Sequence, residues 1–195
     1  MGLKHSDAPA ESLKALEVRT RALAGSRDAL LHSLASLDVA DASLPHRVYQ
    51  LGLDSLAEGK GLGDALLVGW RYIVSKAASP VAIEVSCDPS AQRHQFSSIH
   101  QGPHVEETRA RLDEAQGHPR VSAGAYELNL LRIPALRVVA LWLRSQSGDS
   151  DLLIPLAPSH PALQAGHAYT ASELVAQLKQ PAIETSKFDV RPRSR

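Results

Sequence analysis

Between Pro9 and Leu37 the apolar positions Leu13, Leu16, Leu23, Leu30, Leu34 and Leu37 recur alternately three and four residues apart, with Thr20 and Arg27 completing the series. That period places them on one stripe of a helix, so the pattern predicts an amphipathic helix over 9–37, or two helices broken at Gly25. Asp7 is its expected N-cap. From about His46 to Glu58, Val48, Leu51, Leu53 and Leu56 spread too widely for one narrow stripe, which predicts a second, well-buried helix. "EGKGLGD" then breaks the chain, and Asp64 is expected to cap a third helix, "ALLVGWRYIVSK", apolar nearly all round.

At Pro80 the pattern turns extended. "VAIEVSCD" reads as a strand ended by Asp88-Pro89, followed by a polar loop that carries three histidines. Gly102-Pro103 starts a charged surface helix that Gly117 ends. Residues 126–133 and 136–145 read as strands around Pro134, and "SQSGDSD" turns into a further strand over 152–156. Along the middle strand Val138, Ala140 and Trp142 point one way and Val139, Leu141 and Leu143 the other, so a central strand covered on both sides is expected. Thr170-Ala-Ser-Glu173 is a capping box opening a last helix to about Lys179. The fold class that results is α+β: an N-terminal helical segment packed on a small, mostly antiparallel sheet of about four strands with flanking helices. The division expected is a flexible N-terminus over 1–8, one domain over 9–180 (a helical part, 9–77, and a sheet-containing part, 80–180) and a mobile tail over 181–195. Lys187, Arg191, Arg193 and Arg195 make that tail basic.

Composition removes several classes of function. Lys plus Arg and Asp plus Glu are 21 each, so no whole-chain field draws the protein to nucleic acid or an anionic membrane. Aromatic residues are 4% of the chain, too few for a surface that stacks unpaired bases. No apolar run reaches the roughly 20 residues that span a bilayer. The opening "MGLKHSDAPAES" lacks the apolar centre of a secretion signal, and a cytoplasmic location is expected. Arginine outnumbers lysine 15 to 6, a bias of GC-rich coding that suggests a bacterial source.

Candidate chemistry centres on "HQFSSIHQGPH". His94, His100 and His104 could supply the nitrogen ligands of a transition metal, with Glu106 or Glu107 adding oxygen. Gly102 and Pro103 fall between His100 and His104, however, and remove the single-helix geometry that would aim both at one ion. No metal or other cofactor is therefore expected. Cys87, at a strand end, could act as a nucleophile with His94 as base, although a lone cysteine on an apolar strand is more often a small buried hydrophobe. "GKGLGD" lacks the preceding strand and the spacing of a phosphate loop. His160 and His167 lie on loops beside the last helix, where they could line a cleft at the sheet edge.

Two functions follow from these readings. One is a non-catalytic protein-interaction or accessory module that takes a protein partner, or a second copy of itself, through Leu13, Leu16 and Leu23 of the first helix. The other is a small metal-dependent or Cys/His-dependent hydrolase built on Cys87, His94, His100 and His104.

Overall fold

In the computed structural model, which describes residues 2–23, 27, 42–74, 80–88, 90 and 93–188, strands dominate. They are β1 (Gly2–Lys4), β2 (Ala42–Gln50), β3 (Leu66–Val74), β4 (Val81–Asp88), β5 (Arg93–His100), β6 (Ala125–Ile133), β7 (Val138–Ser145), β8 (Leu152–Pro155) and β9 (Tyr169–Thr170). All nine join one sheet in the order β5-β4-β3-β2-β6-β7-β8-β9, with β1 also beside β6. The helices are α1 (Ala10–Ala22), α2 (Leu53–Ala57), α3 (Pro103–Gly117), α4 (Pro119–Ala123) and α5 (Ala171–Phe188).

The chain is α+β, but the sheet is more than twice the expected size and it is mixed. β2 to β5 form one antiparallel meander and β6 to β9 another. Their first strands, β2 and β6, lie side by side in parallel, and β1 extends that parallel edge along β6. The seam is where Arg47 faces Asn129 and Val48 faces Leu130.

Of the helix expected from His46 to Glu58 only Leu53–Ala57 is helical and its first part is strand, while the helix expected after Asp64 is strand from Leu66 to Val74. Residues 42–50 form β2, and the "LLVGWRYIV" run is β3, its last six residues buried. A segment covered on both faces loses its period, so apolar spacing cannot separate helix from strand there. The composition of β3 could have done so: Val68, Trp70, Tyr72, Ile73 and Val74 are β-branched or aromatic, and such side chains fit a pleated surface. Gly69 has a sheet function as well, since a Cβ there would collide with the carbonyl oxygen of Val85 on β4. The histidine loop is the edge strand β5.

Elsewhere the pattern and the fold agree. β4, β6, β7 and β8 occupy the expected stretches, and α3 opens at Gly102-Pro103. The capping box closes in both directions: Thr170 N–H donates to Glu173 Oε2 at 2.8 Å, and Glu173 N–H to Thr170 Oγ1 at 3.3 Å. α5 runs beyond the expected Lys179, through Pro181, to Phe188. At the other terminus residues 2–4 are the strand β1 and Ser6 is buried. Residues 189–195, with most of the basic tail, lie outside the described residues.

One face of β7, with Trp142 and Val138, packs with Leu174, Leu178 and Ala182 of α5. The opposite face, with Leu141 and Leu143, packs with Leu112 and Ala115 of α3. α1 lies on the α5 side of the sheet but over the first meander, where Leu16 and Leu23 meet Trp70, Tyr72, Ile83 and Val85. Pro9 rather than Asp7 stands at the N-cap of α1. Thr20, the polar member of the leucine series, is buried and donates to the carbonyls of Leu16 and Glu17. Leu30, Leu34 and Leu37 lie outside the described residues.

Candidate functional site

A β-bulge decides the histidine question. In β5, His94 faces Cys87 and Phe96 faces Val85, but the register then shifts, so that Ser98 faces Glu84 and His100 faces Ala82. Simple alternation would put His94 and His100 on one face, and the extra residue puts them on opposite faces. His94 lines a groove of about 560 Å³ between α1 and β5, with Lys14, Val18, Arg19 and Phe96. His100 and His104 lie on the side of the sheet that α3 covers, around Glu84 and Arg132. The three do not converge, and among the described residues no group of three or more His, Cys, Asp or Glu side chains is arranged to hold a metal ion.

The cross-strand neighbours Cys87 and His94 are brought together, yet among the described residues no group activates the thiol. Burial, and the Asp88 charge after it, push the Cys87 thiol upward, and neither buried ring nitrogen of His94 has a hydrogen-bond partner. Leu16 and Leu23 are buried under the chain's own sheet, with Leu13 half-buried beside them. The cover expected from a second chain over this part of α1 is thus supplied from within.

The α3 side of the sheet carries a buried polar cluster. Glu84 on β4 accepts both prongs of the Arg132 guanidinium, Nη1 donating to Oε2 at 2.8 Å and Nη2 to Oε1. Arg132 is on β6, so the pair bridges over β2 and β3. Arg71 Nε lies 3.8 Å from the same carboxylate and His100 Nε2 lies 3.5 Å from it. Burial alone would raise the Glu84 carboxyl, but the His100 hydrogen bond and the charges of Arg132 and Arg71 outweigh it and hold it at about 2. Arg71 is 2% exposed, and burial brings its guanidinium down to about 10. Two guanidiniums share one carboxylate, which leaves this region with excess positive charge.

Beside Arg71 in the sheet register, His46 is fully buried. Its Nδ1 is 2.7 Å from the Leu44 carbonyl, so Nδ1 carries the proton, and its Nε2 has no partner. Burial first, and the Arg71 charge second, hold its pKa at about 3. The ring is neutral when folded and takes a proton readily when unfolded, so its contribution is complete above the unfolded value and is lost as pH falls. His5 and His104, also held below the ordinary value by burial, act in the same direction. Urea unfolding should show stability falling by about 2 kcal/mol between pH 7 and pH 5, near 1.4 kcal/mol per unit for each proton. His46→Gln should flatten that slope, and an equal slope in the variant would remove His46 from the account.

Next to this cluster a cleft of about 740 Å³ opens over the start of β7. Arg132 and His104 form one wall, residues 134–139 the floor, and Pro158, Ser159, His160 and Pro161 the other wall. Among the described residues no carboxylate lines it. The Arg137 side chain is exposed and has no ion pair or hydrogen bond among the described residues, while its backbone N–H donates to the Pro134 carbonyl at 3.0 Å. Its φ of 53° lies in the left-handed region, which costs a non-glycine residue of order 1 kcal/mol. Two polar atoms of the walls, His104 Nδ1 and Ser159 Oγ, are buried without a partner. His160 Nδ1 accepts the Ala162 N–H at 3.1 Å, so its Nε2 carries the hydrogen.

Of the residues singled out in the sequence, His104 and His160 meet at this cleft, whereas Cys87 and His94 belong to the other side of the sheet. His167 packs edge-on against Tyr169, centroids 4.6 Å apart. Arg132 and Arg137 were not legible as site residues, because they flank what reads as a break between two strands. An arginine on an otherwise apolar strand, "NLLRIPALRVV", was the available signal. No helix among the described residues is long and apolar enough to cross a membrane. Comparison with protein-family models, curated proteins and solved structures finds no match for this chain.

Proposed function

We propose that this protein is a binding module whose ligand is a small anion, seated in the cleft between residues 134–139 and 158–161. One observation carries the reading: the cleft pairs the Arg137 guanidinium with buried unpartnered polar atoms of His104 and Ser159, and among the described residues no carboxylate on its lining opposes them. Buried polar atoms without partners are uncommon in folded proteins, and a ligand oxygen would satisfy them. A cleft of this volume is in the range of small-molecule sites. The binding class keeps the non-catalytic reading of the sequence, with a small ligand in place of a protein partner.

The test is an amide-resolved NMR titration of the full chain with sodium acetate and with sodium phosphate, ionic strength held constant with sodium chloride. Saturable shifts confined to residues 104, 132–139 and 158–162 are expected with at least one of them, and should be reduced in Arg137→Gln. Shifts scattered over the surface, or none beyond chloride, would sink the proposal.

A further inference from the structure

Resting on that reading, we infer that the ligand is an organic monocarboxylate: one carboxylate set against Arg137 and an apolar body lying on the floor of the cleft. The charge count comes first. Of the two guanidiniums at the cleft, Arg132 already commits both prongs to Glu84. His160 offers an Nε2–H. Burial first, and the Arg71 and Arg132 charges after it, disfavour the cationic form of His104. Arg137 is therefore the guanidinium of the lining left free to take a ligand carboxylate.

Shape gives the second argument. A guanidinium and a carboxylate are planar forks that pair through two parallel hydrogen bonds, and Ser159 Oγ and His104 Nδ1 stand in the same cleft to take remaining lone pairs. The rest of the lining is apolar: Pro134, Leu136, Val138 and Val139 below, Pro158 and Pro161 at the rim. Such a floor gives a fully hydrated ion nothing and rewards a ligand that brings hydrocarbon, at about 25 cal/mol per Å² covered. Affinity should therefore depend on both ends of the molecule.

Calorimetric titration of the full chain with octanoate, acetate, 1-octanol and inorganic phosphate separates the possibilities. Octanoate should bind at least tenfold tighter than acetate and at least tenfold tighter than 1-octanol. Arg137→Gln, a change at an exposed side chain, should lower octanoate affinity at least tenfold while the urea midpoint stays put. Phosphate binding that depends on Arg137, without octanoate binding, would overturn the monocarboxylate and leave the anion site standing. Binding of neither anion would overturn both. Equal affinity for octanoate and 1-octanol, or octanoate binding untouched by Arg137→Gln, would show an apolar surface and overturn the inference.

Discussion

Replacing Glu84 by Ala should destabilise the protein by about 3 to 5 kcal/mol, the range for breaking a buried ion pair from one side. The reason lies with the partners left behind. Arg71 is 2% exposed and Glu84 is the acidic group that faces it among the described residues, so the variant keeps a buried guanidinium without that offset. Glu84→Gln, which keeps the volume but not the charge, should lose most of the same stability. Arg132→Met should lose less, because the Arg132 side chain is 26% exposed and its removal leaves Glu84 with Arg71 and His100. Urea midpoints at pH 7 measure all three, and a loss below about 1 kcal/mol in Glu84→Ala would mean that Arg71 does not depend on this carboxylate.

The same carboxylate adds a low-pH component. Its folded value, about 2, lies below the ordinary value of 4.5, so its stabilisation is complete above 4.5 and is lost as pH falls from there towards 2. The histidine effect sets in at higher pH, below about 6.5. Stability should therefore begin to fall below about 6.5 and fall more steeply below 4.5, where both groups contribute, and Glu84→Gln should remove only the added steepness.

Leu141→Ala should cost about 2 to 5 kcal/mol, since a buried leucine loses transfer energy and leaves a cavity its neighbours only partly fill. Leu141 is 0% exposed on β7, between β6 and β8, and belongs to one cluster with Leu128, Leu130, Leu143, Leu152 and Leu112 of α3. These neighbours come from strands on both sides and from a helix above, so no single movement closes the hole. Ser150→Ala, in the exposed turn after β7, should stay within about 0.5 kcal/mol. Equal effects of the two substitutions, measured by denaturant unfolding, would show that β7 is not the centre of the second meander.

How much could be read beforehand depended on whether a segment has one buried face or two. β7 was legible because Pro134 and the 146–151 turn bound it and apolar residues occupy both of its faces, and α3 because Gly102-Pro103 and Gly117 mark its ends. β2 and β3 were not, since apolar positions spread all round each segment as they would on a buried helix, and the single arginine in each, Arg47 and Arg71, marks no solvent face. Arg47 instead lies over the Trp70 ring, 5.2 Å from its centroid, and Arg71 meets Glu84. The cleft was least legible of all. Its walls come from the β6–β7 connection, the start of α3 and the loop after β8, and only the parallel seam and the bulge in β5 decide which of them meet.

That seam also orders events during synthesis. Arg47 and Glu127, bonded across it, stand eighty residues apart in the chain. The first meander, whose pairings are all between neighbours in sequence, can assemble as soon as β5 has left the ribosome. The edges of β2 and β1 that β6 will occupy then stay open until the chain from His100 to Ile133, 133 − 100 = 33 residues, has emerged, at about 5 to 20 residues per second. For those seconds the nascent half presents unpaired backbone along β2, and the interval, rather than the finished fold, is where this chain is most exposed to pairing with the wrong strand.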